Sequence, residues 1–168
     1  MGIGSQSLAM DDYFRTVDLR TAPRTPEGDL DLESPACLDM DLLGKHLNAL
    51  ARGEEIHLPR YNFVTRVQSG PIGRPMRLGK DEVVVCEGIH ALNNMITDVH
   101  PEAFKLYISA RSDVEFGGKI VFKRTWFRIV RRTVRDYNFR GSDPAETMSM
   151  WANVRRGEKN NISPFKDK

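Results

Sequence analysis

A run of arginines lies in WFRIVRRTVRDYNFRG, residues 126–141. At about 100° per residue, four arginines fall on one side of a helix and four apolar side chains fall on the opposite side. The arginines are Arg128, Arg131, Arg132 and Arg135, and the apolar residues are Phe127, Val130, Val134 and Tyr137. Guanidinium groups match phosphate oxygens in geometry and charge. We therefore expect the apolar face to pack and the basic face to bind a nucleotide triphosphate or a nucleic-acid backbone. A solvated basic face is the alternative.

Only one acid, Asp136, lies within this predicted helix, and like charges three and four residues apart repel one another. We therefore expect an anion from outside the chain to neutralise the arginine face.

Carboxylates follow two predicted strands. Glu87 ends the apolar run EVVVC, and Asp11 and Asp12 follow a short strand at 6–10. Ligands of parallel α/β sheets bind at the carboxyl ends of strands, so Glu87 is expected near a metal-bound phosphate. A carboxylate at the other position could accept the proton of a hydroxyl nucleophile. The alternatives are a turn residue for Glu87 and a helix cap for the aspartates.

Several familiar catalytic motifs do not occur in the sequence. The phosphate-binding pattern G-x-x-x-x-G-K-S/T is missing, because Gly79-Lys80 precedes Asp81 and Gly118-Lys119 precedes Ile120. The four histidines share no metal-ligand spacing with the two cysteines, which makes a zinc site improbable. No Ser/His/Asp or Cys/His arrangement can be recognised either.

The elements that must position these residues follow from the apolar pattern. Short apolar runs predict strands at 82–86 and 104–109, and a further short strand is expected at 6–10. Leucines at helical spacing predict a helix that ends before Gly53. Two more helices are expected, over 125–139 and from Ser142 to about 156. Such strands, connected by helices, indicate the α/β class with a parallel sheet buried on both faces.

Residues 55–78 alternate loosely in polarity and contain several prolines and glycines. This pattern predicts an irregular β-hairpin with a long tip. Tyr61 and Phe63 would then lie on the same face of the hairpin. The preceding stretch 21–35, rich in Pro, Gly, Asp and Glu, predicts a surface loop.

The composition is that of a single globular domain. The 168 residues include 25 Lys and Arg against 23 Asp and Glu, a formal charge of +2. Acids are concentrated in the first third and bases in residues 119–140, as expected for an anionic ligand near the basic end. We find no secretory signal and no apolar run long enough to span a membrane, so a cytoplasmic location is expected. Cys37 and Cys86 are expected to be buried, reduced thiols.

Taken in order, a series of motifs resembles the uridine kinase and phosphoribulokinase family, especially its long bacterial members. The motifs are DDYF, EGDLDLESPACLD, GEEIHLPRYNF, VVVCEGIHALN, FKLYISA, RRTVRDYNFRG and MWANVRRGEKNNISPF. The resemblance implies a P-loop kinase-like parallel sheet with flanking helices, a nucleoside-binding β-hairpin and an arginine lid. It also implies ATP and Mg²⁺ as cofactors and a nucleoside, or a related small hydroxyl compound, as substrate.

The resemblance assigns residues to the acceptor side. Asp11 resembles the general base for the ribose 5′-hydroxyl, and Glu33 resembles the acid that binds the sugar hydroxyls. Tyr61 and Phe63 match aromatic hairpin positions that contact the base. Arg66 stands where uridine kinases often carry a histidine that reads the pyrimidine ring.

The resemblance also assigns the phosphate side. Glu87 resembles the magnesium-linked acid, and Arg132, Arg135 and Arg140 match lid arginines that approach the phosphates or the sugar. The segment DVEFGGKIVFKRTWF departs from the usual acidic approach to the lid and places Trp126 at a commonly acidic position.

We therefore expect one partial domain over residues 1–168, with a substrate hairpin at 55–78 and a lid region at 119–141. The first strand and the phosphate-binding loop of the family are not found, nor are its last strand and helix. The leading hypothesis is an ATP-dependent nucleoside kinase domain, and a non-catalytic remnant that binds nucleotide or a partner is the alternative. Binding of RNA is less favoured because the aromatics do not alternate with the bases. No membrane partner is expected, and a homo-oligomer is compatible with the resemblance.

Overall fold

The computed structural model describes residues 2–70, 73–109 and 112–167. The strands are β1 Gly4–Ala9, β2 Ile56–His57, β3 Arg60–Asn62, β4 Val67–Ser69, β5 Pro75–Met76, β6 Glu82–Glu87, β7 Val114–Phe116 and β8 Lys119–Phe122. The helices are α1 Met40–Ala51, α2 Asn94–Thr97, α3 Arg124–Phe139, α4 Pro144–Ser149 and α5 Trp151–Asn161. The protein is therefore of the mixed α/β class.

A parallel pair of strands, β1 and β6, places the two acidic segments side by side. Ala9 lies opposite Glu87 at the carboxyl ends of both strands. The two predicted strands are confirmed, with shifts of one or two residues at their ends. A short 3-10 turn, Met10–Tyr13, begins directly after β1 and brings Asp11 and Asp12 to the same edge as Glu87.

Two expectations about the sheet are wrong. The pair is covered on one face only, because Val84 and Cys86 pack against the core whereas Val83 and Val85 expose 47% and 51% of their surface. The predicted strand at 104–109 is not formed, and its apolar side chains are exposed. A strand requires a hydrogen-bonded neighbour, and no strand lies beside this segment in the described part of the chain.

The hydrophobic core fixes the turn that carries Asp11. Its buried members are Leu8, Met10, Tyr13, Leu38, Leu43, Leu50, Ile56, Leu58 and Met76. The hydroxyl oxygen of Tyr13 lies 2.8 Å from the Nδ1 atom of His46 on α1, within hydrogen-bond distance. Helix α1 starts where Asp39 Oδ1 accepts a hydrogen bond from Leu42 N at 3.1 Å, and it stops before Gly53, which has a φ of 72°. The predicted leucine helix is therefore confirmed.

The described residues of the stretch 55–78 form two nested antiparallel ladders, and residues 71–72 of the predicted hairpin lie outside the described residues. Strand β2 pairs with β5 near the core, and β3 pairs with β4 further out. The outer turn is closed by Asn62, whose side-chain oxygen accepts hydrogen bonds from Val64 N and Thr65 N. Tyr61 and Phe63, on either side of Asn62, have ring centroids 4.9 Å apart and are partly buried.

The last third of the described chain is helical, after a β7–β8 hairpin whose turn contains Gly117 and Gly118. The single helix expected from Ser142 to about 156 is instead two helices, α4 and α5, which meet at Met150. Asp143 caps α4 by accepting a hydrogen bond from Glu146 N at 2.8 Å. None of the described helices is long and apolar enough to cross a lipid bilayer.

Helix α3 packs with the face opposite to the one expected. Phe127, Val130, Val134 and Tyr137 expose between 40% and 65% of their surface. The arginine face lies against the rest of the protein, and Asp136 on that face is only 3% exposed. The reason is electrostatic, because acids from distant parts of the chain pair with the arginines.

Cys37 and Cys86 are free and partly buried thiols, consistent with the expectation. Burial raises the pKa of each thiol to about 11.

Candidate active site

A cleft of about 800 Å³ opens between residues 11–37, the tip of the β3–β4 hairpin and helices α3 to α5. Eight of the nine predicted site residues line it, namely Asp11, Glu33, Tyr61, Phe63, Arg66, Arg132, Arg135 and Arg140. The ninth, Glu87, is the last residue of β6 and is not among the lining residues described. Residues up to 129 positions apart in sequence are therefore brought to one cavity.

Asp11 is held at the cleft by Arg140. The Nη2 atom of Arg140 donates to Oδ2 of Asp11 at 2.9 Å, and its guanidinium carbon lies 3.7 Å from the centre of the Phe63 ring. Burial, followed by the nearby Arg135 guanidinium, lowers the pKa of Arg140. Arg140 thus connects the acidic turn to the aromatic hairpin, because one guanidinium contacts both Asp11 and Phe63.

Asp136 is the centre of an arginine network. Its carboxylate lies 2.9 Å from Arg135, 3.3 Å from Arg132 and 3.9 Å from Arg140. Only 4% of its side chain is exposed, so these ion pairs are little screened by water.

Glu33 and Glu158 pair with two residues of the arginine face, whereas Arg131 is exposed and has no described ion pair. Glu33 Oε1 lies 3.0 Å from Nη1 of Arg132, and Glu158 pairs with Arg128. The expectation that the chain itself supplies no acids to these arginines is therefore wrong for Arg128, Arg132 and Arg135. The acids come from residues whose distance in sequence hid them from a helical-wheel argument.

The aromatic side of the cleft has three rings. Phe14 lies 5.4 Å from Tyr61 and 5.9 Å from Phe63, measured between ring centroids. Burial raises the pKa of Tyr61, which keeps its hydroxyl protonated. Phe14 was not singled out from the sequence, although its place directly after the predicted acidic turn was a usable signal. These partly exposed rings offer a surface on which a planar ligand can stack.

Arg66 occupies the tip of the hairpin in an unusual backbone conformation. Its φ is 57°, and it is the one non-glycine residue with positive φ among the described residues. Its carbonyl accepts a hydrogen bond from Val17 N at 3.2 Å, and its guanidinium lies 4.0 Å from Glu146 on α4. Sequence reasoning gave no indication of Glu146. The side chain of Arg66 therefore lines the cleft between the β3–β4 hairpin and helix α4.

The carboxylate of Glu87 is close enough to Asp11 and Asp12 to be affected by their charges, and Asp11 itself lines the cleft. Burial raises the pKa of Glu87, and the negative charges of Asp11 and Asp12 add to the effect. Burial also raises the pKa of Asp12. Three-residue clusters preassembled for a metal do not occur in the described part of the chain. One or two carboxylates are nevertheless what Mg²⁺ uses when phosphates and water supply its other ligands, so these residues fit it.

Comparisons with known proteins agree on one family. The model of the Phosphoribulokinase / Uridine kinase family matches residues 2–168. A uridine kinase of Deinococcus deserti is 28% identical over 152 residues, which are 89% of this chain and 63% of the relative. A uridine kinase of Halobacterium salinarum is 26% identical over 155 residues, 90% of this chain and 59% of the relative.

A eukaryotic relative shows the same similarity. The uridine-cytidine kinase 2-B of Danio rerio is 23% identical over 145 residues, which are 86% of this chain and 49% of the relative. The chain spans about three fifths of the length of the first two relatives. Together with a family match over nearly every residue, these similarities show that the chain belongs to the phosphoribulokinase / uridine kinase family.

Proposed function

We propose that the cleft binds a nucleoside and presents one of its hydroxyl groups for phosphorylation by ATP. The observation that carries this proposal is the position of Asp11, whose carboxylate lines a cleft bounded by stacking rings on one side and arginines on the other. A base, a sugar hydroxyl and a phosphate chain require these three environments in that order. The names of the relatives support the same substrate class.

On the acceptor side, Asp11 accepts the proton of the attacking hydroxyl. A bond then forms between the acceptor oxygen and the γ-phosphorus, while the bond from that phosphorus to the β–γ bridging oxygen breaks and ADP leaves. Glu33 accepts hydrogen bonds from other sugar hydroxyls, and Tyr61 and Phe63 hold the base.

On the phosphate side, Arg132, Arg135 and Arg140 bind the oxygens of the transferring group. Their carboxylate partners keep them in place before nucleotide binds. Mg²⁺, held through Glu87 and its neighbours, would neutralise charge on the phosphates. The motif that usually supplies backbone N–H groups to the β- and γ-phosphates does not occur in the sequence, so binding rather than turnover is the direct test of this chain.

Arg66 supports a preference for bases that present hydrogen-bond acceptors. A guanidinium carries donors only, so a ring edge with carbonyl oxygens satisfies it and an exocyclic amino group does not. We therefore propose that Arg66 contacts that edge of the base and that uridine binds more tightly than cytidine.

Replacement of Phe63 by alanine is expected to weaken nucleoside binding roughly tenfold, because stacking contributes about 1 to 3 kcal/mol per base. The measurement is isothermal titration of the purified chain with uridine and cytidine. Phe116→Ala is the matched control, since Phe116 is 81% exposed and lies on the β7–β8 hairpin.

The opposite result would assign Phe63 to packing. If Phe63→Ala lowers the unfolding temperature but leaves affinity per folded molecule unchanged, the ring does not contact the ligand. Failure of the unmodified chain to bind any nucleoside would contradict the proposed function itself.

Replacement of Arg135 by alanine is expected to weaken ATP binding by about tenfold or more, since charge-assisted contacts contribute about 1.5 to 3 kcal/mol each. Arg52→Ala is the control, because Arg52 is an exposed arginine that pairs with Glu54. Calorimetric titration with Mg²⁺-ATP measures the effect. Equal affinity of the two variants would show that the arginine face does not receive the phosphates.

A further inference from the structure

The loop that carries Glu33 is attached to α5, an element that contributes none of the predicted site residues. Residues 21–34 contain no helix and no strand apart from an isolated bridge between Arg24 and Leu30, so their position depends on contacts with their neighbours. Three residues of α5, Arg156, Gly157 and Asn161, contact this loop. Two of these contacts are made to Glu33 itself.

Gly157 is the point of closest approach. It is buried on α5, and a Cβ atom built at this position would lie 2.4 Å from the Cβ atom of Glu33 and 3.1 Å from its Cγ atom. A glycine in a helix interior destabilises it by about 1 kcal/mol relative to alanine. The close approach gives a physical reason for glycine here, because any larger side chain would push Glu33 away from the helix.

Asn161 lies one helical turn after Gly157, on the same side of α5. Its Nδ2 atom donates a hydrogen bond to the main-chain oxygen of Glu33 at 3.1 Å. Arg156 adds an ion pair at 2.8 Å to Glu27, earlier in the same loop. The main chain of Glu33 is therefore held by α5 through both contact and hydrogen bonding.

The carboxylate of Glu33 is held from the other direction. Arg132 of α3 lies 3.0 Å away, and only 14% of the Glu33 side chain is exposed. Helix α5 thus fixes the main chain of Glu33, and α3 fixes the position of its carboxylate. Two helices define the position of one acid on the wall of the cleft.

We propose that Gly157 and Asn161 are positioning residues that set Glu33 for the sugar hydroxyls of the acceptor. This inference rests on the proposed function, in which Glu33 contacts those hydroxyls. Neither residue touches the acceptor. Their effect is transmitted through the backbone of Glu33, and it applies to ligands whose sugar has hydroxyl groups in reach of that carboxylate.

The test compares two glycine substitutions and two ligands. Gly157→Ala is paired with Gly44→Ala, because Gly44 lies inside α1 with no heavy atom within 4 Å of a Cβ built there. The probes are uridine and 2′,3′-dideoxyuridine, which lacks two of the sugar hydroxyls. Affinities are measured by calorimetry, and folding is checked by thermal unfolding.

We expect Gly157→Ala to weaken uridine binding by about tenfold, the size of one lost charge-assisted hydrogen bond, and to change dideoxyuridine binding by less than about twofold. Gly44→Ala is expected to leave both affinities unchanged. Asn161→Asp replaces the hydrogen-bond donor to Glu33 with an acceptor of the same shape, and it is expected to weaken uridine binding to the same extent. This variant is the test if Gly157→Ala does not fold.

The outcomes separate the inference from the proposed function. An unmodified chain that binds neither probe overturns the proposed function and this inference with it. An unmodified chain that prefers uridine, together with substitutions that leave this preference intact, overturns the inference alone. Equal weakening of both probes also overturns it, because a general loss of structure does not distinguish the two sugars.

Discussion

Asparagine at position 11 is expected to lower the rate of phosphoryl transfer by about 10²- to 10⁴-fold, the usual contribution of a general base. The amide has the shape of the carboxylate but cannot accept the hydroxyl proton. It also removes the ion pair with Arg140, which is 2.9 Å long in the structure. Nucleoside affinity should change little, because Phe14, Tyr61 and Phe63 still provide the stacking surface.

The measurement is transfer of labelled γ-phosphate from Mg²⁺-ATP to a nucleoside. We expect no measurable transfer by the chain as given, because positioning of the phosphates by a loop motif can contribute several kcal/mol and that motif is not in the sequence. The comparison of Asp11→Asn with the unmodified residue is therefore made in a polypeptide extended by a G-x-x-x-x-G-K-S/T segment. Asp41→Asn, an exposed substitution on α1, is the control. Full activity of a folded, extended Asp11→Asn variant would show that Asp11 is not the base.

The placement of Asp11 and Glu87 could be anticipated from the sequence. Asp11 follows a short predicted strand, Glu87 ends another, and parallel strands end at one edge of a sheet. The register confirms this reasoning, since Ala9 lies opposite Glu87. Local patterns were sufficient here because each acid is separated from its strand by at most two residues.

The orientation of α3 could not be anticipated in the same way. Periodicity shows that the helix has two unlike faces, but it does not show which face meets the protein. The arginine face is the packed one because Glu33 and Glu158 approach it from other elements, and Asp11 pairs with Arg140 at the end of the helix. Such pairing depends on tertiary structure, which a helical wheel does not contain.

The strand predicted at 104–109 is absent for a related reason. Its apolar and β-branched residues are typical of a strand, but a strand exists only beside a partner, and none is present in the part of the chain that the structure describes. Phe104 and Ile108 are accordingly 91% and 83% exposed. Strand propensity alone does not form a strand when no neighbouring strand supplies hydrogen bonds.

The second large effect concerns stability. We expect Asp136→Asn to destabilise the protein by about 3 to 5 kcal/mol, the range measured when one partner of a buried ion pair is removed. Asp136 is 3% exposed and is the one acid that lies within 4 Å of Arg132, Arg135 and Arg140 together among the described ion pairs. Without it, three guanidinium groups repel one another in a poorly solvated place.

Urea unfolding monitored by circular dichroism measures this loss, with the exposed Asp41→Asn as the matched control. A destabilisation of this size should also lower the unfolding temperature by roughly 10 °C. Because the charge of a phosphate can substitute for the missing carboxylate, added Mg²⁺-ATP or inorganic triphosphate should restore more stability to Asp136→Asn than to the unmodified chain. An Asp136→Asn variant as stable as Asp41→Asn would mean that Glu33 and Asp11 alone balance the arginines, and that α3 is held by its other contacts.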